Sequence, residues 1–207
     1  SVLATYLRWM IQPKHLAAPE PGIPRIVWFK RDLRLADHAS LDAACSGGGF
    51  VVPLYIVEPD YWALPDASRR HWHFIHDCLI DLREELARRS TPLIVRIGNV
   101  TDVLSDLRER LGHFALYSHE ETGNDWTFRR DRRVAGWCRD HGVNWQELPS
   151  HGVVRRLDNR DHWSKLRDAR MKAPLVSAPE RIPGVAGIDP GKLPMKNDPL
   201  FGSLAIG

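Results

Sequence analysis

Short runs of apolar residues alternate with longer stretches of helical periodicity from residue 23 onward. Apolar runs that lack an in–out alternation are typical of strands covered on both faces, as in parallel sheets. Five such runs predict five strands, at residues 25–29, 50–57, 93–97, 114–117 and 143–148.

The stretches between these runs carry apolar residues three and four positions apart, which is the spacing of one helix face. The three clearest helices are predicted after Pro65, after Asn99 and over residues 124–141. Repeated strand–helix units favour right-handed crossovers between parallel strands. The pattern therefore predicts an α/β fold: a doubly wound, Rossmann-like five-stranded parallel sheet with helices on both faces.

The two ends of the chain differ from this regular middle. Residues 1–22 form an N-terminal extension with several apolar residues but no basic start or cleavage site, so we expect neither a secretory signal nor a membrane span. Residues 23–150 form the α/β domain, and residues 151–173 a helical extension. Residues 174–207 are rich in Pro and Gly, which predicts an interdomain linker on the surface without regular structure.

Composition narrows the class of protein. The 207 residues are 43% hydrophobic and 27% charged, and 29 basic against 26 acidic residues leave a net charge of only +3. Binding of nucleic acid through bulk charge is therefore weakly supported. The three cysteines are odd in number and far apart, which is typical of reduced thiols in a cytoplasmic protein.

The first candidate site follows the first strand, where Lys30, Arg31, Asp32 and Arg34 lie close together in sequence. One interpretation is a ligand rim, because open parallel sheets bind ligands beside the carboxyl ends of their strands. The other is an internal ion-pair network in which Asp32 holds Arg31 or Arg34. Composition alone favours the network.

The second candidate follows the fourth strand, where His119 precedes Glu120 and Glu121. A metal or acid/base site is disfavoured, because neighbouring residues of an extended chain point in opposite directions. Asn124 or Asp125 is better explained as the N-cap of the next helix.

Two further groups of residues favour ordinary structural roles. The histidines at 71, 73 and 76 are predicted to be half-exposed on a helix, since a metal site needs three or four convergent ligands. The arginines at 129, 130, 132 and 133 alternate with acidic residues and are predicted to form a solvated, paired face.

A phosphate-binding loop is excluded because the glycines at 47–49 precede a strand.

Several motifs in the same order resemble the DNA photolyase/cryptochrome family. They are the first strand with Lys30-Arg31-Asp32-Leu33-Arg34 and Asp37-His38, the second strand with its loop at 52–59, the segment 119–131, and Gly152-Val153-Val154-Arg155-Arg156-Leu157 with Arg160-Asp161-His162-Trp163.

The resemblance implies an antenna domain. Proteins of this family carry an antenna pigment in an N-terminal α/β domain and a catalytic flavin adenine dinucleotide (FAD) in a later helical domain. We therefore expect a socket for a deazaflavin, a folate or flavin mononucleotide (FMN). We expect the C-terminal FAD-binding helical domain to be missing from this chain and to be its partner, within the same polypeptide or as a separate chain.

The resemblance also places the pigment at the strand ends. The implied cofactor-binding residues are Phe29, Lys30, Arg31, Asp32, Arg34, Ile56, Val57, Glu58, Gly98, Asn99, Glu120 and Glu121.

The implied parent protein is a blue-light-driven, FAD-dependent lyase that repairs pyrimidine dimers in DNA, or a related cryptochrome. We expect this chain alone to be non-catalytic and to meet DNA only through the parent protein. One alternative is a stand-alone nucleotide- or flavin-binding or oligomeric signalling module that self-associates through residues 1–22. Another is a photolyase subunit that a separate helical chain completes.

Overall fold

Five parallel strands form one sheet in the computed structural model, which describes residues 21–150 and 163–204. The strands are β1 (Arg25–Phe29), β2 (Val51–Val57), β3 (Ile94–Ile97), β4 (Ala115–His119) and β5 (Asn144–Leu148). Their order across the sheet is β3-β2-β1-β4-β5. The predicted fold is confirmed, and the predicted strands agree with the observed ones to within two residues.

The order of the strands fixes where a ligand can bind. The chain moves outward from β1 to β3 and then returns to the other side of β1 for β4 and β5. The direction of winding therefore reverses between β1 and β4. In open α/β sheets, a crevice forms beside the carboxyl ends of the strands at such a point.

Six α-helices are described, and the three longest begin at a side-chain cap. In the described part of the chain they are α1 (Ala39–Ser46), α2 (Pro59–Trp62), α3 (Arg69–Arg88), α4 (Val100–Leu111), α5 (Asp125–Asp140) and α6 (Trp163–Met171), followed by a 3₁₀ helix at Pro199–Phe201. Side chains of Ser68, Asn99 and Asn124 accept backbone N–H bonds at the starts of α3, α4 and α5. The prediction that Asn124 or Asp125 is a cap is therefore confirmed for Asn124.

Both faces of the sheet are covered by apolar side chains, because successive residues of each strand point to opposite sides. One face packs Val27, Phe29, Tyr55 and Val57 against Leu41 of α1 and Trp72, Leu79 and Leu86 of α3. The other packs Ile26, Trp28, Leu54 and Ile56 against Val100, Leu104 and Leu107 of α4 and Val134 and Cys138 of α5. No helix in the described residues is both long and apolar enough to cross a bilayer.

The Pro/Gly-rich segment packs onto the domain instead of lying free on its surface. Its carbonyls at Pro183 and Pro190 accept the N–H groups of Val51 and Val95, at 2.6 and 2.7 Å. Regular structure is sparse, as the composition predicts, but Ile182, Phe201 and Leu204 are buried. Its role as a linker to another domain stays a prediction.

Two glycines explain why this segment can lie so close. A Cβ atom at position 184 would stand 2.0 Å from Thr91 Oγ1, and one at position 191 would stand 2.2 Å from the carbonyl oxygen of Val95. Gly191 also has a φ of +73°, which favours glycine. The glycines therefore permit close packing, where the sequence suggested flexibility.

Some predicted segments lie outside the described residues. The N-terminal extension does so except for residues 21 and 22, and residues 151–162 of the helical extension do as well. The described part of that extension is α6.

A buried carboxylate joins the loops at the carboxyl edge of the sheet. Asp32 Oδ2 lies 2.9 Å from His38 Nε2 and 2.5 Å from His119 Nδ1, and Asp32 Oδ1 accepts the N–H of Lys30 at 2.8 Å. His38 Nδ1 accepts the N–H of Leu41 and so caps α1. Asp32 thereby connects the loop after β1, the start of α1 and the end of β4.

This arrangement differs from the predicted pairing of Asp32 with Arg31 or Arg34. Arg34 Nη2 instead lies 3.8 Å from Asp37 at the surface, and Arg31 Nε lies 3.3 Å from Glu121. Burial opposes ionisation of Asp32, but hydrogen bonds from His119 and His38 outweigh burial and hold the pKa of Asp32 well below its usual range. Burial also lowers the pKa of His38. His38 is a local partner at the start of α1, whereas His119 reaches Asp32 only because β4 returns beside β1.

We expect Phe201→Ala to destabilise the protein by about 3 kcal/mol, the lower part of the range for truncating a buried Phe. Phe201 is 1% exposed and stacks on Trp72 with 4.0 Å between ring centroids. Urea unfolding should show a lower midpoint with an unchanged slope. The matched control is Met195→Ala in the same segment, where the side chain is 73% exposed. Wild-type stability of Phe201→Ala would contradict the packing of this segment.

We expect Asp32→Asn to destabilise the protein by about 3 kcal/mol at neutral pH, because two buried imidazoles lose their shared carboxylate. The pKa of Asp32 is lower in the folded than in the unfolded chain, so its ionised form stabilises the fold above about pH 4, and this contribution is lost as the pH falls through the folded value. Urea midpoints measured against pH should therefore converge with wild type in acid. Asp37→Asn is the exposed control, and an equal loss in both variants would refute the role of Asp32.

Candidate ligand-binding cleft

A cleft of about 390 Å³ opens at the carboxyl ends of β1 and β2, a volume typical of small-molecule sites. Its apolar walls are Trp28, Phe29, Tyr55, Ile56, Tyr61, Trp62, Phe74 and Ile75. Its polar groups are Lys30, Arg31, Glu58, His71, Glu121 and Arg130. The cleft thus combines flat aromatic surfaces with a small set of charged side chains.

Neighbouring elements supply these side chains because parallel strands end at one edge of the sheet. Phe29 of β1 pairs in register with Tyr55 of β2, so the residues that follow both strands emerge side by side. Glu58 then occupies the N-cap position of α2, but its side chain does not cap that helix. The Glu58 carboxylate is therefore free to turn toward α5.

Arg130 of α5 is the centre of a buried charge network. Its Nη1 donates to Glu58 Oε2 at 2.9 Å, its Nη2 donates to Glu121, and its Nε donates to Asp131 Oδ1 at 3.1 Å. Arg130 is only 5% exposed. Burial opposes the charge of Arg130, but the three carboxylates together raise its pKa above the usual value.

The prediction of a solvated arginine face on α5 is wrong for this residue. Arg129, Arg132 and Arg133 are exposed as expected, whereas Arg130 and Asp131 are buried. The helix turns Arg130 toward the strand ends, where Glu58 lies, and Glu58 is 72 residues away in sequence. Local charge alternation could not reveal that partner.

Glu58 lines the cleft and has a pKa close to neutral pH. Burial raises the pKa of Glu58 to about 7, with smaller upward contributions from Glu121 and Asp131 and an opposing one from Arg130. The Glu58 side chain is 10% exposed. It therefore changes charge near neutral pH at the wall of the cleft.

Trp28 forms a flat wall held by two cations. Lys30 Nζ lies 4.7 Å from the centroid of the Trp28 ring, and Arg130 Cζ lies 4.8 Å from it. Both distances are within the range of cation–π attraction. Since Trp28 is 1% exposed, its ring orientation is fixed by packing as well as by charge.

The structure brings some of the predicted cofactor-binding residues together and separates others. Phe29, Lys30, Arg31, Ile56, Glu58 and Glu121 line the cleft. Asp32, Arg34, Val57, Gly98, Asn99 and Glu120 do not line it. The two sets come from the same strand ends, so position at the carboxyl edge alone does not decide which side chains face a ligand.

Each residue outside the cleft has another structural role or position. Asp32 binds the two imidazoles, and Val57 is in the core. Gly98 and Asn99 follow the edge strand β3, where Asn99 caps α4. Arg34 is exposed, and Glu120 Oε2 lies 3.9 Å from Arg170 Nη1. Glu120 and Glu121 diverge, as the extended chain predicts.

Much of the cleft wall consists of residues that the sequence pattern did not indicate. Trp28 and Tyr55 each precede a predicted site residue by one position. They could have been found by including one more residue of each strand in the predicted site. His71, Phe74 and Ile75 come from α3, and Tyr61 and Trp62 from α2. No local signal indicates that these helices border the cleft, since only their packing on the sheet places them there.

Asp32, His38 and His119 are the one group of potential metal ligands found among residues 21–150 and 163–204, with ligand atoms within 4.8 Å of one another. Their contacts of 2.5 and 2.9 Å are hydrogen-bond distances. His38 Nδ1 accepts an N–H group, so the neutral ring carries its proton on Nε2, which leaves that atom no lone pair for a metal. We assign this group a structural role.

Sequence comparison matches this chain to photolyases and cryptochromes. The sequence model of the DNA photolyase family matches residues 25–162. A cryptochrome DASH from Natronomonas pharaonis is 28% identical over 185 residues, which cover 82% of this chain and 39% of that protein. The chain thus spans about two-fifths of the length of this curated relative.

Solved structures share the fold. A bacterial class III photolyase from Agrobacterium tumefaciens superimposes with a TM-score of 0.67 at 22% identity, over 89% of this chain and 41% of that one. An archaeal photolyase from Sulfolobus tokodaii, solved with two FAD molecules, gives 0.60 at 24% identity over 78% and 37%. Since the family model covers more than half of the residues and the sheet is the predicted one, the chain belongs to the DNA photolyase family.

Proposed function

We propose that this chain is the antenna-pigment-binding α/β domain of a photolyase- or cryptochrome-like protein and is not catalytic by itself. The observation that carries this proposal is the aromatic-walled cleft at the carboxyl ends of β1 and β2. A light-harvesting pigment requires a rigid apolar site with a few polar groups that fix its orientation. A deazaflavin, a folate or FMN has the flat ring system that such walls accommodate.

The family relationship supports a pigment in this part of the protein. The Sulfolobus tokodaii photolyase contains two FAD molecules, which imply a novel light-harvesting cofactor in that protein. At least one member of this family therefore has room for a second chromophore. In our proposal the cleft of this chain takes a pigment of that class.

In this proposal the light-driven activity belongs to the parent protein. The parent holds catalytic FAD in a C-terminal helical domain, on the same polypeptide or a separate one, and contacts DNA through that assembly. Excitation passes from the pigment to FAD, which drives repair of pyrimidine dimers or, in a cryptochrome, signalling. We place the assembly in the cytoplasm.

We expect the purified chain to bind at least one of three pigments: FMN, an 8-hydroxy-5-deazaflavin or 5,10-methenyltetrahydrofolate. Ile75→Trp fills the cleft from α3 and should weaken binding at least tenfold, measured by fluorescence titration, because pigment and side chain compete for one volume. Ile80→Trp is the matched control, since Ile80 lies on α3 but does not line the cleft. Failure of all three pigments to bind would contradict the proposal.

We also expect this chain alone to leave thymine dimers unrepaired under blue light. It corresponds to the part of the family's proteins that we assign to pigment binding. The measurement is recovery of the ultraviolet absorbance of irradiated oligothymidylate, with a full-length photolyase as positive control. Repair by this chain without added protein would refute the proposed lack of catalysis.

A further inference from the structure

Two side chains of the cleft have hydrogen-bonding capacity that the described residues leave unused. Lys30 Nζ is buried without a hydrogen bond, and the nearest carboxylate oxygen, Asp131 Oδ2, is 3.6 Å away. Glu58 Oε2 accepts from Arg130, whereas no described residue donates to Glu58 Oε1. The cleft therefore contains a buried donor, Lys30 Nζ, and an acceptor with unused capacity, Glu58 Oε1.

An unused buried ammonium group requires an explanation, because a buried donor without an acceptor costs free energy. The cation–π contact with Trp28 offsets only part of that cost, since it provides no hydrogen-bond acceptor. Native proteins pair nearly all such groups with protein, water or ligand. A ligand oxygen beside Trp28 would complete the coordination of Lys30.

The donor and the acceptor come from the ends of neighbouring strands. Lys30 directly follows β1 and Glu58 directly follows β2, and these strands pair side by side in parallel register. Lys30 contacts Asp131 and Glu58 contacts Arg130, which are adjacent residues of α5. Adjacent strands are about 4.8 Å apart, so both side chains can reach one edge of a small ring.

We propose, on the basis of the function proposed above, that Lys30 and Glu58 recognise the lactam edge of the pigment, in which a ring N–H stands beside a ring C=O. Glu58 Oε1 accepts the N–H, Lys30 Nζ donates to the carbonyl oxygen, and the ring lies beside Trp28. Flavin, deazaflavin and pterin rings all carry this edge in their pyrimidine portion. The shared chemistry is therefore a lactam, and the experiment separates its sources.

Binding is coupled to the charge of Glu58. The titratable and charged groups around the cleft are Lys30, Arg31, Tyr55, Tyr61, His71, Glu121, Arg130 and Asp131. A ligand N–H stabilises the carboxylate, so it lowers the pKa of Glu58 below the value of about 7 that burial gives this side chain. Below that pH, binding must first release a proton from Glu58, and affinity falls as the pH decreases.

The test compares FMN with 3-methyl-FMN, which lacks the ring N–H, and with 5,10-methenyltetrahydrofolate as the pterin source. Wild type should bind FMN or the folate, and where FMN binds, its 3-methyl derivative should bind about tenfold more weakly, as expected for loss of a charge-assisted hydrogen bond. Affinity should rise about tenfold between about pH 6 and about pH 8, because free Glu58 titrates in that interval.

Two variants isolate the two contacts. Glu58→Gln should weaken binding about tenfold at about pH 8 and remove the pH dependence, because it keeps the shape of the side chain but not its charge. Lys30→Met should weaken binding by a similar factor and leave the pH dependence in place. Glu109→Gln and Lys165→Met are matched controls at exposed positions outside the cleft and should bind as wild type. Circular dichroism and urea midpoints verify that each variant is folded.

The outcomes separate the two proposals. If a pigment binds but Glu58→Gln keeps the wild-type affinity and pH dependence, the lactam inference is overturned while the pigment-binding function stands. Equal binding of FMN and 3-methyl-FMN to wild type overturns the inference in the same way. If FMN, the folate and 8-hydroxy-5-deazaflavin all fail to bind wild type, both proposals fail.

Discussion

The guanidinium of Arg130 is the group on which the cleft depends. It contacts carboxylates from the end of β2, from the loop after β4 and from its own helix, so one side chain links three parts of the chain. Removing two opposite charges from water is costly, and their attraction offsets that cost only when the geometry is good and the remaining polar atoms are bonded. The four charged side chains therefore stabilise the fold together. Their contacts fix the distance between α5 and the strand ends.

The charged side chains of this network lie around the open side of the cleft. Arg31 lies beside Glu121 at the surface and Lys30 lies beside Asp131 in the interior. Glu58 has one described charged partner and faces the cleft, and burial raises its pKa to about 7. The site thus concentrates its unused hydrogen-bonding capacity where a ligand can reach it. This arrangement is the physical basis of the pigment-binding function that we propose.

Two other features make the edge of the sheet rigid. Asp32 joins the loop after β1, the start of α1 and the end of β4 through His38 and His119. The Pro/Gly-rich segment runs past the edge strand and ends with Phe201 against Trp62 and Trp72. Trp62 also lines the cleft, so this distant segment supports the wall of the site. A rigid wall suits a pigment, because energy transfer depends on a fixed orientation of the donor.

The sequence by itself determined the sheet, the three long helices and the edge where the site lies. Strand runs and helix periodicity are local consequences of which faces must be buried, so Val27, Leu79 and Leu104 reveal their positions without tertiary information. Only the tertiary structure decided which strand-end residues face the cleft. Glu58 with Arg130, and Asp32 with His119, are pairs separated by 72 and 87 residues, and no local pattern records such a partner. The reason is physical: a buried charge is placed by the group that neutralises it, and folding alone brings that group near.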